Sequence, residues 1–335
     1  MTLRVGVIGA GNIGQDHIRR LSHVLSSACV TAVADVDLDR ARTASHAAGA
    51  EVFQSGHDLI AAPSVDAVVV ATWGPSHEEY VLAALAMGKP VFCEKPLAPT
   101  TEACLRIVDA EIARGRRLVQ VGFMRRFDAG YRAMKAVVDK GTLGAPLLVH
   151  CAHRGPSAPP TFTSDMLITD STIHELDLMR WLLGEETVAV TVLRPRSSTA
   201  RTDLISPQVV LLESESGVLA DVEVFVNAVY GYDIRCEVVG ELGTVSLGDF
   251  GNVVVAHAGQ RSTYVPDHWI ERFMAAYDVE MQAWVDSIGA GRAVGPTAWD
   301  GYAATAVAAA CLESLQSGRR VTVQMRPCPD FYATG

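Results

Sequence analysis

The chain has 335 residues, a net charge of −10 and 49% apolar against 20% charged residues. That length suits two domains better than one core, and the balance is that of a water-soluble globular protein. The acidic excess excludes a generic grip on nucleic acid, which needs clustered Lys and Arg against phosphates.

The first predicted strand, 3–8 (LRVGVI), runs into a glycine-rich turn and a helix to about Leu21. Next come a strand at 29–34 ending at Asp35, an alanine-rich helix at about 38–48 and a strand at 66–72. A helix at 77–87, a strand at 90–93, a helix at 101–114 and a strand at 118–122 complete the alternation. Continuous apolar runs alternating with helices mark a parallel sheet covered on both faces. Residues 1–122 therefore read as a doubly wound α/β Rossmann domain.

After Gly122 the pattern changes. A helix near 128–140, a strand at 146–153 and a proline-rich piece at 155–160 precede a helix at about 165–183. From 187 to 265 short strands follow one another, and in 219–227 the residues Ala220, Val222, Val224 and Val226 repeat with period two. This predicts an α+β domain over 123–335 with a large open, mainly antiparallel sheet. Two long helices close it, and those helices (273–317) have the option of packing back on the first domain. An open apolar sheet face of this kind asks for a partner, so a homo-oligomer is expected. No apolar run approaches the roughly 20 residues that cross a bilayer. The first strand at Leu3 leaves no room for a secretory leader. The seven cysteines (29, 93, 104, 151, 236, 311 and 328) show no metal-type spacing. A cytoplasmic protein with reduced thiols and no metal is the expectation.

Gly9, Gly11 and Gly14 form G-A-G-N-I-G between a strand and a helix. The first glycine permits the turn, the second admits a pyrophosphate and the third lets helix and strand pack closely. Asp35 ends the next strand about 20 residues later, where a carboxylate binds ribose hydroxyls and repels a 2′-phosphate. NAD is therefore expected over NADP, with Arg40 as the residue that would allow some NADP use.

Two further groups carry chemistry. Glu94-Lys95-Pro96 closes a central strand, where ligands of doubly wound sheets bind. Pro96 disfavours the α conformation at Lys95, and a lysine there can steady an alkoxide as hydride leaves. The chain holds only four lysines, at 89, 95, 135 and 140. Asp170 and His174 lie four apart in a helical stretch, so the carboxylate can orient an imidazole that acts as general base. A surface helix pair is the competing reading of that spacing.

Taken together, G-A-G-N-I-G, E-K-P and D-x-x-x-H followed by Glu175-Leu176-Asp177 resemble the Gfo/Idh/MocA oxidoreductases over essentially the whole chain. The longer stretches TWGPSH (72–77), VFCEKPLA (91–98), RLVQVGFMRRFD (117–128), HCAHR (150–154), YGYDI (230–234), AAYDVE (275–280) and GPTAWDGY (295–302) strengthen the resemblance. It implies NAD-dependent oxidation of one hydroxyl of a ring polyol, an inositol first of all, with Lys95, Asp170 and His174 as the catalytic triad. It implies cofactor contacts from Gly9, Gly11, Asn12, Ile13, Gly14, Asp35, Thr72, Trp73, His77, Glu94, Lys95 and Met124. Substrate contacts would come from Lys95, Arg125, His153, Asp170, His174, Asp177 and Tyr232. The resemblance also implies a homotetramer built through the open sheet.

One departure stands out. After His153-Arg154 an amide side chain is expected, and this chain has Gly155, which bears on the choice of isomer. Other inositol isomers and pyranose sugars remain as substrates. An NAD-assisted glycosidase and a non-catalytic cofactor sensor remain as rival classes.

Overall fold

The computed structural model describes residues 2–250, 253–291 and 293–333. The chain packs as two compact units. The first comprises 1–123, 277–305 and 326–335, and the second 124–276 and 306–325. Much of the C-terminal helical region thus counts with the first unit, and the second is not one continuous 123–335 stretch.

In the first unit the elements run β1 (Leu3–Ile8), α1 (Asn12–His23), β2 (Ala28–Ala34), α2 (Leu38–Ala48), β3 (Glu51–Phe53), α3 (Gly56–Ala61), β4 (Ala67–Val70), α4 (His77–Ala86), β5 (Val91–Glu94), α5 (Thr101–Arg114) and β6 (Val119–Gly122). The sheet order is β3-β2-β1-β4-β5-β6 with every pairing parallel. All residues of β4, β5 and β6 are buried, which is why these strands read as mainly apolar runs, with Glu94 and Gln120 as buried exceptions. Helix boundaries follow local chemistry. Asp37 and Thr100 cap α2 and α5 with side-chain acceptors, and Gly49 and Gly115 end them in the left-handed conformation. Met281, Trp284 and Val285 join Val5, Val7, Val33, Val69 and Phe92 in one core. The Phe92 and Trp284 rings meet edge to face at 5.9 Å.

The second unit holds α6 (Ala129–Asp139), β7 (Pro146–Arg154), α7 (Ile173–Leu183), β8 (Thr187–Leu193), β9 (Gln208–Ser214), β10 (Leu219–Phe225), β11 (Asp233–Gly240), β12 (Gly243–Ser246), β13 (Val254–His257) and β14 (Gln260–Thr263). After them come α8 (Trp269–Gly289), α9 (Ala298–Ser317), β15 (Val321–Thr322) and α10 (Asp330–Ala333). The large sheet has the order β12-β11-β7-β10-β9-β8-β15. It is not a simple meander: β10 runs parallel to β7 in the middle of otherwise antiparallel neighbours. β13 and β14 form a separate two-stranded sheet.

The period-two residues Ala220, Val222 and Val224 are buried, as are Val149, Cys151 and His153 beside them on β7. The opposite face is less apolar than the sequence suggests. Leu148, Leu193 and Leu219 are exposed there, but His150 pairs with Asp221 at 2.5 Å and Arg154 with Glu223 at 2.5 Å. Asp233 accepts from both Arg154 (3.2 Å) and Arg235 (2.9 Å). All seven cysteines are free, and among the described residues no helix is long and apolar enough to cross a membrane.

Candidate active site

In the first unit the glycine turn divides into two roles. Gly9 has φ +94°, and a Cβ there would sit 2.5 Å from the Ala71 carbonyl oxygen. A Cβ on Gly14 would come within 2.0 Å of the Gly9 oxygen. These two glycines are demanded by the fold itself. Around Gly11 nothing lies within 4 Å of a Cβ, and no side chain caps the helix that starts at Asn12 and Ile13. Open space facing uncapped amides at a positive helix end fits a pyrophosphate. Asp35 follows β2 and is buried. Its Oδ2 accepts from the Ala10 amide at 2.6 Å and its Oδ1 from the Asp37 amide at 2.8 Å. Each oxygen keeps a lone pair for a ribose hydroxyl. Arg40 lies 3.7 Å from Asp35 Oδ1 and 3.5 Å from Asp37 Oδ2, held by carboxylates on its own turn.

The loop after β4 shows a split that the sequence did not. Trp73 is 80% exposed, whereas His77 is buried. The His77 Nδ1 lies 2.7 Å from the Pro96 carbonyl and its Nε2 3.0 Å from the Thr72 carbonyl. Burial pushes its pKa down, against the pull of the two carbonyls, and the ring sits between the Thr72 loop and the Pro96 turn. Thr72 in turn accepts from Ser76 Oγ at 2.8 Å. At the end of β5, Glu94 is buried and Lys95 half-buried, with a cis peptide joining Lys95 to Pro96. Cys93 beside them is buried, and burial pushes its thiol well up, away from the reactive thiolate.

In the second unit three of the expected substrate residues, Arg125, His153 and Tyr232, gather around one buried carboxylate, Glu175. Glu175 pairs with the Arg125 guanidinium, and its Oε2 lies 3.1 Å from His153 Nδ1. Arg125 Nη2 lies 3.2 Å from the same nitrogen, and the Tyr232 hydroxyl 3.2 Å from His153 Nε2. His153 thus meets a donor and an acceptor at Nδ1, and at Nε2 a tyrosine hydroxyl that can donate or accept. Burial works against the ionised Glu175, but Arg125 and His153 outweigh it and hold the carboxyl below its usual range. Arg125 is likewise raised, because Glu175 more than offsets its desolvation. Burial pushes the Tyr232 phenol up to about 12.

Arg125 and its neighbour Arg126 both sit in ion pairs away from solvent, their side chains 1% and 11% exposed. Arg126 grips Asp177 in a two-pronged pair at 2.9 and 2.5 Å. Two of the expected substrate contacts, Arg125 and Asp177, are thus committed to partners within the unit. Met124, an expected cofactor contact, is buried at the start of a short 3-10 turn, Met124–Phe127.

Asp170 and His174 are not on one regular α-helix. Leu167–Thr172 is π-helical and joins directly onto α7, so the four-residue spacing straddles the junction. Thr172 Oγ1 donates to the Leu167 carbonyl at 2.6 Å, which serves the widened turn. Such π segments recur at functional sites because they re-aim a side chain without ending the helix. The His174 ring lies 6.5 Å from that of His153, so it adjoins the Glu175 cluster. Gly155 spans β7 and the end of β10 through its backbone, donating to the Phe225 carbonyl and accepting from the Ala228 amide, both at 2.8 Å. A Cβ at Gly155 would meet nothing within 4 Å.

Comparison with known proteins gives the family of the chain. Residues 3–123 match a family model described as an oxidoreductase family with an NAD-binding Rossmann fold, and 135–323 match the C-terminal alpha/beta domain of the same family. The chain is 55% identical to an inositol 2-dehydrogenase of Ralstonia nicotianae over 99% of both chains. It is 54% identical to an inositol 2-dehydrogenase 3 of Saccharopolyspora erythraea over 99% of this chain and 98% of that one. Among solved structures, the myo-inositol dehydrogenase of Lactobacillus casei in complex with NAD(H) and myo-inositol is 40% identical with a TM-score of 0.96, over 99% of this chain and 100% of that one. From β1 to the second sheet, the chain belongs to the Gfo/Idh/MocA oxidoreductase family, with an NAD-binding Rossmann domain.

Proposed function

We propose that the chain is an NAD-dependent dehydrogenase that oxidises one ring hydroxyl of inositol, taking myo-inositol to its 2-keto form. The observation that carries this is the whole-chain likeness to dehydrogenases of inositol, one of them holding NAD(H) and myo-inositol. Gly9, Gly11, Asn12, Ile13, Gly14 and Asp35 would hold the cofactor, with Thr72, Trp73, Glu94, Lys95 and Met124 along its length. His77 acts through the two loops that it ties rather than through its ring. When bound, NAD⁺ accepts the hydride from the carbinol carbon. His174 takes the hydroxyl proton, oriented by Asp170, while Lys95 donates to the oxygen and steadies its developing charge. His153 and Tyr232 would contact ring hydroxyls, with Arg125 beside His153 in its ion pair with Glu175, and Asp177 would be a further substrate contact.

The division into an NAD-binding domain and a substrate-binding, oligomer-forming domain belongs to the same proposal. So do a homotetramer, supported by the open sheet face with exposed Leu148, Leu193 and Leu219, and a cytoplasmic location. Gly155 favours one second reading, that another inositol isomer is the preferred substrate. The test is NADH formation by purified protein with NAD⁺ and a panel of myo-, scyllo- and D-chiro-inositol, glucose and a glycoside. Turnover of an inositol supports the proposal. Absence of NADH from every polyol, with NAD⁺ still binding, overturns it in favour of a glycosidase or sensor.

A further inference from the structure

Glu94 is joined to a buried set of side chains within the first unit that the reaction scheme does not use. Its Oε1 lies 2.8 Å from Nε2 of His17 on α1, and its Oε2 accepts from the backbone amide of Lys95 at 3.2 Å. The other imidazole nitrogen, Nδ1, is 3.1 Å from Nη1 of Arg20. A guanidinium only donates, so Nδ1 must accept, and the single imidazole proton sits on Nε2 facing Glu94.

Nothing in this set can turn freely. Arg20 is fully buried, with Nη2 donating to Asp16 Oδ2 and Nε to Asp278 Oδ1, each at 2.6 Å. Its guanidinium carbon lies 5.3 Å from the centre of the Tyr277 ring. His17 is equally buried, edge-on to Phe92 at 5.5 Å and to Tyr277 at 6.0 Å. A Cβ on Gly122 would lie 3.1 Å from Glu94 Oε2, so the neighbouring strand walls in the carboxylate as well.

We propose that His17 is a positioning residue for the hydride-transfer reaction: held in one tautomer by Arg20, it fixes the Glu94 carboxylate, which fixes the backbone of Lys95. Catalytic groups tolerate little displacement, and a shift of about 1 Å can cost about 100-fold in rate. A buried carboxylate with one partner removed would seek another, and the amide of the reacting lysine is the group it holds. A purely structural part for His17 would end at joining α1 to β5. The bond from Glu94 to the Lys95 amide carries the effect to one specific atom.

The inference rests on Lys95 being the group that meets the reacting oxygen, so the experiment treats the two separately. Hydrogen exchange at the Lys95 amide is followed in the ligand-free protein, together with kcat, KM and NAD⁺ affinity, for wild type, His17→Phe, His17→Gln and Lys95→Met. Slow exchange at Lys95 in the wild type is expected, and fast exchange there overturns the proposal without any variant. His17→Phe should speed that exchange and lower kcat by at least about tenfold, with a smaller fall in NAD⁺ affinity, which is shared among many other contacts. His17→Gln has a donor and an acceptor on one side chain and should recover most of both. Equal loss in the two variants, or exchange and kcat unchanged in His17→Phe, overturns the proposal. Should His17→Phe not fold, His17→Leu replaces it with less bulk. Wild-type turnover in Lys95→Met would sink the lysine's assigned part, while the exchange data would still decide what His17 holds.

Discussion

Glu175 and His153 meet through Oε2 and Nδ1 at 3.1 Å, and the same carboxylate neutralises the buried guanidinium of Arg125. One side chain thus holds an imidazole in place and balances a charge that has no access to water. Removing it is expected to be severe, because one partner of a buried pair leaves the other uncompensated, at about 3–5 kcal/mol. Glu175→Ala should lose stability of that order in urea unfolding at neutral pH.

The same pair gives a pH dependence of known sign. Glu175 is held below its usual carboxyl range in the folded chain. Its contribution is therefore present above the unfolded glutamate pKa and is lost as pH falls through the folded value. In Glu175→Gln that part of the acid-side loss disappears. Stability measured from neutral pH downward should fall less steeply than in wild type, from a lower starting point.

The glycine turn predicts a contrast between two single methyl groups. Gly14→Ala drives a Cβ into the Gly9 carbonyl oxygen, so the ligand-free melting temperature should drop, since overpacking costs about 1–3 kcal/mol. Gly11→Ala meets nothing and should melt like wild type. It should nevertheless bind NAD⁺ at least about tenfold more weakly, because the methyl group occupies space that a phosphate needs. Calorimetry with and without cofactor separates the two.

Asp35 is expected to set the choice of cofactor. Asp35→Ser removes the carboxylate that repels a 2′-phosphate and releases Arg40, now 3.7 Å away. The ratio of kcat/KM for NADP⁺ over NAD⁺ should rise by at least about tenfold, the equivalent of about 1.4 kcal/mol. Part of the change will be lost NAD⁺ affinity, because Asp35 also holds the Ala10 amide. An unchanged ratio would remove Asp35 from the selectivity.

Tyr232 remains a neutral donor across the working range, its phenol being pushed up to about 12. Tyr232→Phe should lower kcat/KM for inositol by about fivefold to tenfold, in line with one hydrogen bond of about 1 kcal/mol. The factor should be the same from pH 7 to pH 10. A loss that grows toward alkaline pH would mean that the tyrosine titrates during turnover.

Gly155→Asn tests the departure noted in the sequence. The open space around a Cβ at Gly155 means that the variant should fold with wild-type stability. The added amide should change the kcat/KM ratio between myo- and scyllo-inositol, since unpaired or newly paired hydroxyl-reading groups discriminate strongly. A ratio that does not move would take position 155 out of isomer selection.

The first unit was legible because its strands are buried on both faces and its helices carry caps, so apolar runs and turn residues report the same boundaries. β3 and α3 were missed: three residues of strand and six of helix are too short for a period to declare itself. The π segment at 167–172 has no marker in composition, so Asp170 and His174 were read on one plain helix. The parallel pairing of β10 with β7 joins stretches 71 positions apart (Leu148 with Leu219), and no local pattern encodes it. Partnerships were the least legible feature. His17 is 77 positions from Glu94, and Glu175 is 50 from Arg125. Each looked like an ordinary helix residue until its partner was known.

The first unit takes its wall from late in the chain. Trp284 packs on Phe92, the Pro296 carbonyl accepts from the Val121 amide at 2.8 Å, and the Tyr332 hydroxyl donates to buried Glu111 at 2.6 Å. On the ribosome, the cofactor-binding sheet therefore emerges long before the residues that close its core. The nascent sheet must wait, with apolar surface uncovered, until residues 284–332 have been made. A fragment ending at 123 lacks that wall, and this protein has no cofactor-binding piece that can be cut out of the chain as one continuous segment.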